Sequence, residues 1–204
     1  MGTGSDTTRL GAGQDAAQLR LLAALLAMPE AESLDALREL VPRALWIAEA
    51  VDELAALPLD RWQAEHTRLF VNGYPKTPCI PFESAYRQGQ MGGTSAQDLR
   101  GLYRKAGLQT EDMPADYLGT ELEFAAFLAD TRLADAGLAG VGHGGDDCLI
   151  EALQAELWRE HLAHWLPRFA QDLREHARLL LYRRLGEQLA GLALAPNLPH
   201  ARED

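Results

Sequence analysis

Residues 62–87 read WQAEHTRLFVNGYPKTPCIPFESAYR and pass from a helical pattern of apolar side chains straight into a proline-rich, aromatic stretch without a period. Pro75, Pro78 and Pro81 each fix their own φ and drive the preceding residue toward extended backbone, so a helix cannot continue through them. The same stretch carries Tyr74, Ile80, Phe82 and Tyr86, which is more apolar surface than an idle linker holds. A long connection of this composition inside a periodic chain points to function.

Outward from it, nearly every segment reads at helical period, and no run alternates apolar and polar residues as a half-buried strand does. The expected fold is all-α, a single helical domain over residues 14–195, with a flexible segment at 1–13 and a tail at 196–204. Gln14 to Met28 reads as a first helix stopped by Pro29, Ser33 as the N-cap of the next, and Pro42 as the opening or kink of a third that reaches Leu57. Asp60 is the expected cap of the helix that carries Trp62, His66, Leu69 and Phe70. Beyond the loop, Thr94 caps a helix closed by Gly107, and Pro114 suits the first turn of the one after it. There Leu118, Leu122, Ala125 and Ala129 form one buried face, ended by Gly137. GLAGVGHGG, residues 137–145, reads as a flexible connector. Trp158, Leu162, Trp165 and Phe169 then share a face on which Pro167 predicts a kink or boundary, and Arg174 to Leu192 is the last helix.

Composition limits the partners. The 204 residues are 47% hydrophobic, enough for a proper core. Nineteen Lys and Arg against 30 Asp and Glu give a net charge of -11, which argues against nucleic acid or an anionic membrane; it suits a cationic partner, and charge alone is equally explained by solubility. Cys79 and Cys148 stand far apart in no paired pattern, so neither a disulfide framework nor a cysteine zinc site is expected. With no secretory pattern at the N-terminus and no membrane-length apolar run, the expectation is a soluble protein of the cytoplasm.

The candidate chemistry is sparse. GLAGVGHGG lacks the strand that precedes a phosphate-cradling glycine turn. His161 and His164, three apart, could face one metal with Glu160 or His143, which would make the chain a helical metal- or cofactor-binding enzyme. The spacing matches no known zinc helix, and the ligand count does not close. Glu121 and Glu123 fall on different helical faces and form no carboxylate dyad. Glu83 and Arg87 are placed for a local ion pair, and Ser84 has no base in recognisable context. What stands out is extended backbone, apolar rings and a carboxylate in one short loop, a combination that can form a peptide groove and lose little entropy on binding.

RLFVNGYP and PCIPFESAY at 68–75 and 78–86, then Tyr103, Gly107 and Leu108, then PADYLGTELEFAAFL at 114–128, resemble the TorD/DmsD/NarJ family of molybdoenzyme maturation chaperones. HLAHWLPRFAQDLREHARLLLY at 161–182 is similar to that family's C-terminal pattern. The resemblance implies an all-helical, non-enzymatic cytoplasmic chaperone. Its partner would be the twin-arginine leader of a molybdopterin oxidoreductase catalytic subunit, whose folding, cofactor insertion and export proofreading it would assist. It implies no stably bound cofactor, the molybdopterin belonging to the client, and a monomer or a segment-swapped dimer. The family's Pro-Pro-Tyr-Glu-Ser core stands here as Ile80-Pro81-Phe82-Glu83-Ser84, and its Pro, Asp and His motif as Pro114, Asp116 and Tyr117, without the imidazole. On this reading Glu83, Asp116, Glu121 and Glu123 supply an anionic end for the leader arginines. Trp62, Leu69, Phe70, Tyr74, Phe82 and Tyr86 supply the apolar wall, and Pro81, Ser84 and Tyr117 complete the expected peptide-binding set. The remaining reading is a helical adaptor for a folded partner.

Overall fold

The computed structural model describes residues 15–110, 114–137 and 146–194. Its regular structure is helical; among the described residues β pairing is limited to one isolated antiparallel bridge, Phe82 with Tyr117. The expected N-terminal segment, the tail, His143 and the connector beyond Gly137 lie outside the described residues, and Gly137 is the last described residue of its helix.

Helix α1, Ala16–Ala24, starts where the Asp15 carboxylate accepts from the Ala17 amide at 2.9 Å. In α2, Ser33–Leu40, Ser33 is the first helical residue rather than the cap. Its Oγ accepts from the Glu30 amide at 2.8 Å and closes the turn before the helix, the nearer free donor. Pro42 does not open a helix: it sits in a turn, followed by a 3-10 turn, Leu45–Ile47, and α3, Ala48–Ala55. In α4, Leu59–His66, extended Pro58 takes the N-cap and Asp60 stands in the first turn, where its charge favours the helix dipole. The chain continues as a π-helical segment, Thr67–Val71.

The proline-rich break is shorter than expected. Phe82 is extended, and Glu83–Gln88 forms a short helix, α5, so the proline effect ends at Pro81. Helix α6, Thr94–Lys105, has Gly93 at its N-cap. Its C-terminus follows expectation: Gly107 has φ 75°, and the Gly107 and Leu108 amides donate to the Arg104 and Tyr103 carbonyls at 3.0 and 2.9 Å. Helix α7, Leu118–Gly137, begins after Pro114, which belongs to the turn leading into it.

Helix α8, Asp146–Glu156, runs through a π-helical segment, Leu157–Leu162, into α9, Ala163–His176, with Pro167 inside the helix. Proline removes one backbone hydrogen bond there, yet buried Trp165, Leu166 and Phe169 keep both sides helical. The boundary comes later, at extended Ala177, so the expected final helix is divided between α9 and α10, Leu180–Leu194. Carboxylates from distant helices take up free amides at this break: Glu65 accepts from Arg178 N and Glu53 from Leu180 N, both at 2.6 Å. These are caps that no local sequence rule reveals.

Helix α10 packs along α9 and α1 along α7. The buried side chains join one apolar core running from Ala16 to Leu189. At its centre Phe70 meets Tyr182 edge-on at 5.3 Å and stacks on Phe169 at 6.4 Å, while Trp165 meets Phe169 at 5.6 Å. Pairs of this kind add about 0.5–1.5 kcal/mol each beyond burial. Among the described residues, no helix is long and apolar enough to cross a membrane.

Candidate functional site

The loop between Val71 and Glu83 is fixed at both ends. Cys79 N donates to the Leu69 carbonyl at 3.0 Å, and Gly73 N to Thr77 Oγ1 at 3.1 Å. At the far end Leu118 N donates to the Pro81 carbonyl at 3.0 Å and Glu83 N to the Asp116 carbonyl at 2.9 Å, which clamps the loop to the turn before α7. Helix α5 has no cap of its own. Asp116 supplies one from a distant segment, its carboxylate accepting from Ser84 N at 3.2 Å and from Ser84 Oγ.

Beneath this clamp lies a buried ionic group. Glu83 Oε2 accepts from His161 Nδ1 at 2.9 Å, Oε1 pairs with Arg87, and Arg87 also donates to the Glu160 carbonyl at 2.9 Å. Burial alone would raise the Glu83 pKa, but the hydrogen bonds and charges of His161 and Arg87 outweigh it and hold the carboxyl below its usual range. Glu121 is in the opposite position. Its oxygens have no hydrogen-bond partner; burial first, and then the Glu83 and Asp116 charges, push its pKa well up. The Trp165 indole favours the ionised form, yet its N–H does not close a hydrogen bond. Its surroundings therefore favour the protonated, neutral form.

The expected anionic end is thus largely interior. Glu83 and Glu121 are 0% exposed, Asp116 is 2% exposed, and Ser84 is fully buried. Glu83, Ser84 and Asp116 tie these segments together because the loop's backbone amides and His161 need partners out of water, whereas the Glu121 carboxyl bonds to none of them. Glu123 alone of the four acids reaches solvent, 3.8 Å from Arg20. Of the expected wall, Leu69, Phe70 and Pro81 are buried, and Tyr74 is 99% exposed. Phe82, Tyr86 and Tyr117 are half-buried. Phe82 lies 5.5 Å from Tyr117, and Tyr86 donates to Asp172 at 2.9 Å while packing on Trp165.

Among the described residues, His161 and His164 do not converge on a metal. His161 is buried on Glu83 and His164 is exposed. Among the described residues the acids and histidines close enough to share an ion are Asp172, Glu175 and His176, on the surface of α9.

A feature missing from the sequence reading is an apolar groove between α1 and α2. A cavity of about 140 Å³ there has Leu25, Met28, Leu37 and Trp62 in its lining. It shares Leu21 and Leu40 with a neighbouring space of about 550 Å³ that extends to Asp15, Arg43 and Trp46. Its wall at residues 26–29 is held from behind. The Tyr117 hydroxyl and His66 Nε2 each donate to the Leu26 carbonyl at 3.0 Å, and Gln63 Nε2 donates to the Pro29 carbonyl at 2.9 Å. A carbonyl only accepts, so His66 carries its proton on Nε2; burial lowers its pKa and keeps it neutral. Trp62 is anchored through its indole N–H to the Tyr182 hydroxyl at 2.9 Å. The residues that line the groove read in sequence as ordinary helix faces, and only their spacing across two helices makes them a groove.

Comparison with known proteins places this geometry. Residues 16–171 match the nitrate reductase delta subunit family. The chaperone protein TorD from two Vibrio cholerae serotype O1 strains is 31% identical over 120 residues, covering 57% of this chain and 50% of theirs. The chain thus spans about half the length of these curated relatives. A crystal structure assigned as a redox enzyme maturation protein from Archaeoglobus fulgidus shares the fold, with a TM-score of 0.58 and 20% identity over 92% of this chain and 98% of that one.

Proposed function

This chain belongs to the nitrate reductase delta subunit family, and from that membership we propose that it is a non-enzymatic, cytoplasmic chaperone for the maturation of a molybdenum oxidoreductase. It binds the twin-arginine leader of the catalytic subunit and holds that subunit through folding, cofactor insertion and export proofreading. The observation that carries this reading is the family match over residues 16–171, which takes in every element from α1 to most of α9. The relatives named as TorD chaperones support it. So does the net charge of -11, suited to a cationic leader.

The buried group of Glu83, Ser84 and Asp116 serves as frame, fixing α5 to the start of α7. Contact with the leader falls to groups that reach solvent or the groove: Trp62, Tyr74, Phe82, Tyr86, Tyr117 and Glu123. The molybdopterin remains the client's, and the chaperone acts as a monomer or a segment-swapped dimer.

Isothermal titration with the leader of the molybdoenzyme subunit encoded nearest its gene tests the reading. Binding is expected, and replacing both leader arginines by alanine is expected to weaken it by at least about tenfold, the loss of one or two charge-assisted hydrogen bonds. No measurable binding, or binding indifferent to the arginines, removes leader recognition from the proposal.

A further inference from the structure

We propose that the groove between α1 and α2 receives the apolar run of the client leader, with the leader's cationic end lying over Glu30 and Glu32. This rests on the leader-binding reading and gives it a place and a direction.

The groove is continuous, because its two cavities share Leu21 and Leu40. Its lining includes the short side chains of Ala24, Ala27 and Ala36, so there is room for larger side chains supplied by a guest. Met28, at its edge, is 43% exposed. The wall is built to stay open: the Leu26 and Pro29 carbonyls are bonded by Tyr117, His66 and Gln63. Side chains from α4 and from the turn before α7 thus hold residues 26–29 in place, and the half-buried Tyr117 links the loop clamp to the groove.

Charge gives the direction. At the end formed by Pro29 and Ser33, the flanking Glu30 and Glu32 are exposed and have no ion-pair partner among the described residues. Nearby Asp35 is already paired with Arg38 at 2.7 Å. The opposite end carries Arg43 beside Asp15 and offers no net negative charge. A segment with cations at one end and apolar residues along the rest complements this groove in one orientation only. The chain's own first 14 residues, MGTGSDTTRLGAGQ, have Met1 and Leu10 as their large apolar side chains, too few to fill it.

The test uses the full chain and the same synthetic leader, labelled with a fluorophore. Ala24→Glu and Ala36→Glu place a carboxylate in the groove at exposed positions, so folding, checked by circular dichroism, is retained. Each is expected to weaken the leader by at least about tenfold. Glu30→Lys with Glu32→Lys is expected to weaken it comparably and to flatten its salt dependence. A photo-crosslinker placed next to the leader arginines should label residues 28–33. If wild type binds and the alanine variants bind equally well, the groove is not the site, although leader recognition stands. Labelling at Trp46 instead overturns the direction. Variants that turn a dimer into a monomer by light scattering, with leader affinity unchanged, give the groove to a second copy and overturn the proposal. If wild type itself does not bind, the leader reading fails and the groove assignment fails with it.

Discussion

Glu83 and Glu121 occupy one buried region and are driven to opposite protonation states by what surrounds them. Glu83 has Arg87 and the His161 imidazole as hydrogen-bond partners, which favour its ionised form; Glu121, buried without a partner and with the Glu83 charge nearby, is pushed toward its protonated form. The signs of their contributions to stability follow. A carboxyl held below its unfolded pKa, as in Glu83, stabilises the fold at pH values above the unfolded value, and this is lost as pH falls through the folded one. Glu121, held above, does the reverse. As pH rises past about 4.3 the unfolded chain releases a proton that the native state retains, and stability declines by up to about 1.4 kcal/mol per pH unit until the folded pKa is reached. Glu121→Gln should remove that decline, so urea unfolding between pH 5 and 7 should show a flatter profile in the variant. Equal slopes in the two proteins would mean that Glu121 is ionised in the native state. Sequence alone showed four acids of the right type for a cationic guest; it could not show that three of them are interior, because burial depends on how segments distant in sequence pack around them.

At the scale of elements, the helical stripes were legible and their ends were not. The face of Leu118, Leu122, Ala125 and Ala129 is buried as its spacing requires, and Gly107 closes α6 in the left-handed conformation that glycine permits. Ser33, Asp60 and Thr94 each miss the N-cap by a residue or two, and α5 and α10 use caps from elsewhere in the chain. Removing the distant cap of α5 should loosen it selectively. Asp116→Ala is expected to cost about 1–2 kcal/mol, with faster amide exchange at Glu83 and Ser84 than at the core residues of α9. Uniform acceleration across the chain would show that Asp116 supports the whole fold instead. Gly186 marks the tight crossing of α10 on α9: a Cβ there would lie 2.9 Å from the Ala170 carbonyl oxygen and 2.8 Å from Arg174 Cγ. Gly186→Ala should therefore lower thermal stability by about 1–3 kcal/mol despite alanine's higher helix propensity. A rise in melting temperature would show that the two helices can separate without penalty.

The whole molecule is an acidic helical body with one apolar core, and its field reaches beyond any single site. Association with a cationic leader should slow as salt is added, by about tenfold or more between 20 and 500 mM, with a smaller change in the dissociation rate. Stopped-flow mixing measures both, and an on-rate indifferent to salt would leave recognition to apolar contact alone.

The sequence by itself determined that the chain is helical, because apolar spacing is a local property that each segment carries alone. It also determined where helix must fail, at Pro75, Pro78 and Pro81, and the acidity that favours a cationic guest. Only the tertiary structure decided that the proline loop is clamped to the turn before α7, that Glu83 and Asp116 serve as internal ties, and that α1 and α2 leave a groove open between them. Those outcomes depend on pairs of residues far apart in sequence, such as Ser84 with Asp116, Glu83 with His161 and Leu26 with Tyr117. Their meeting depends on which helices pack together, and no local period encodes that.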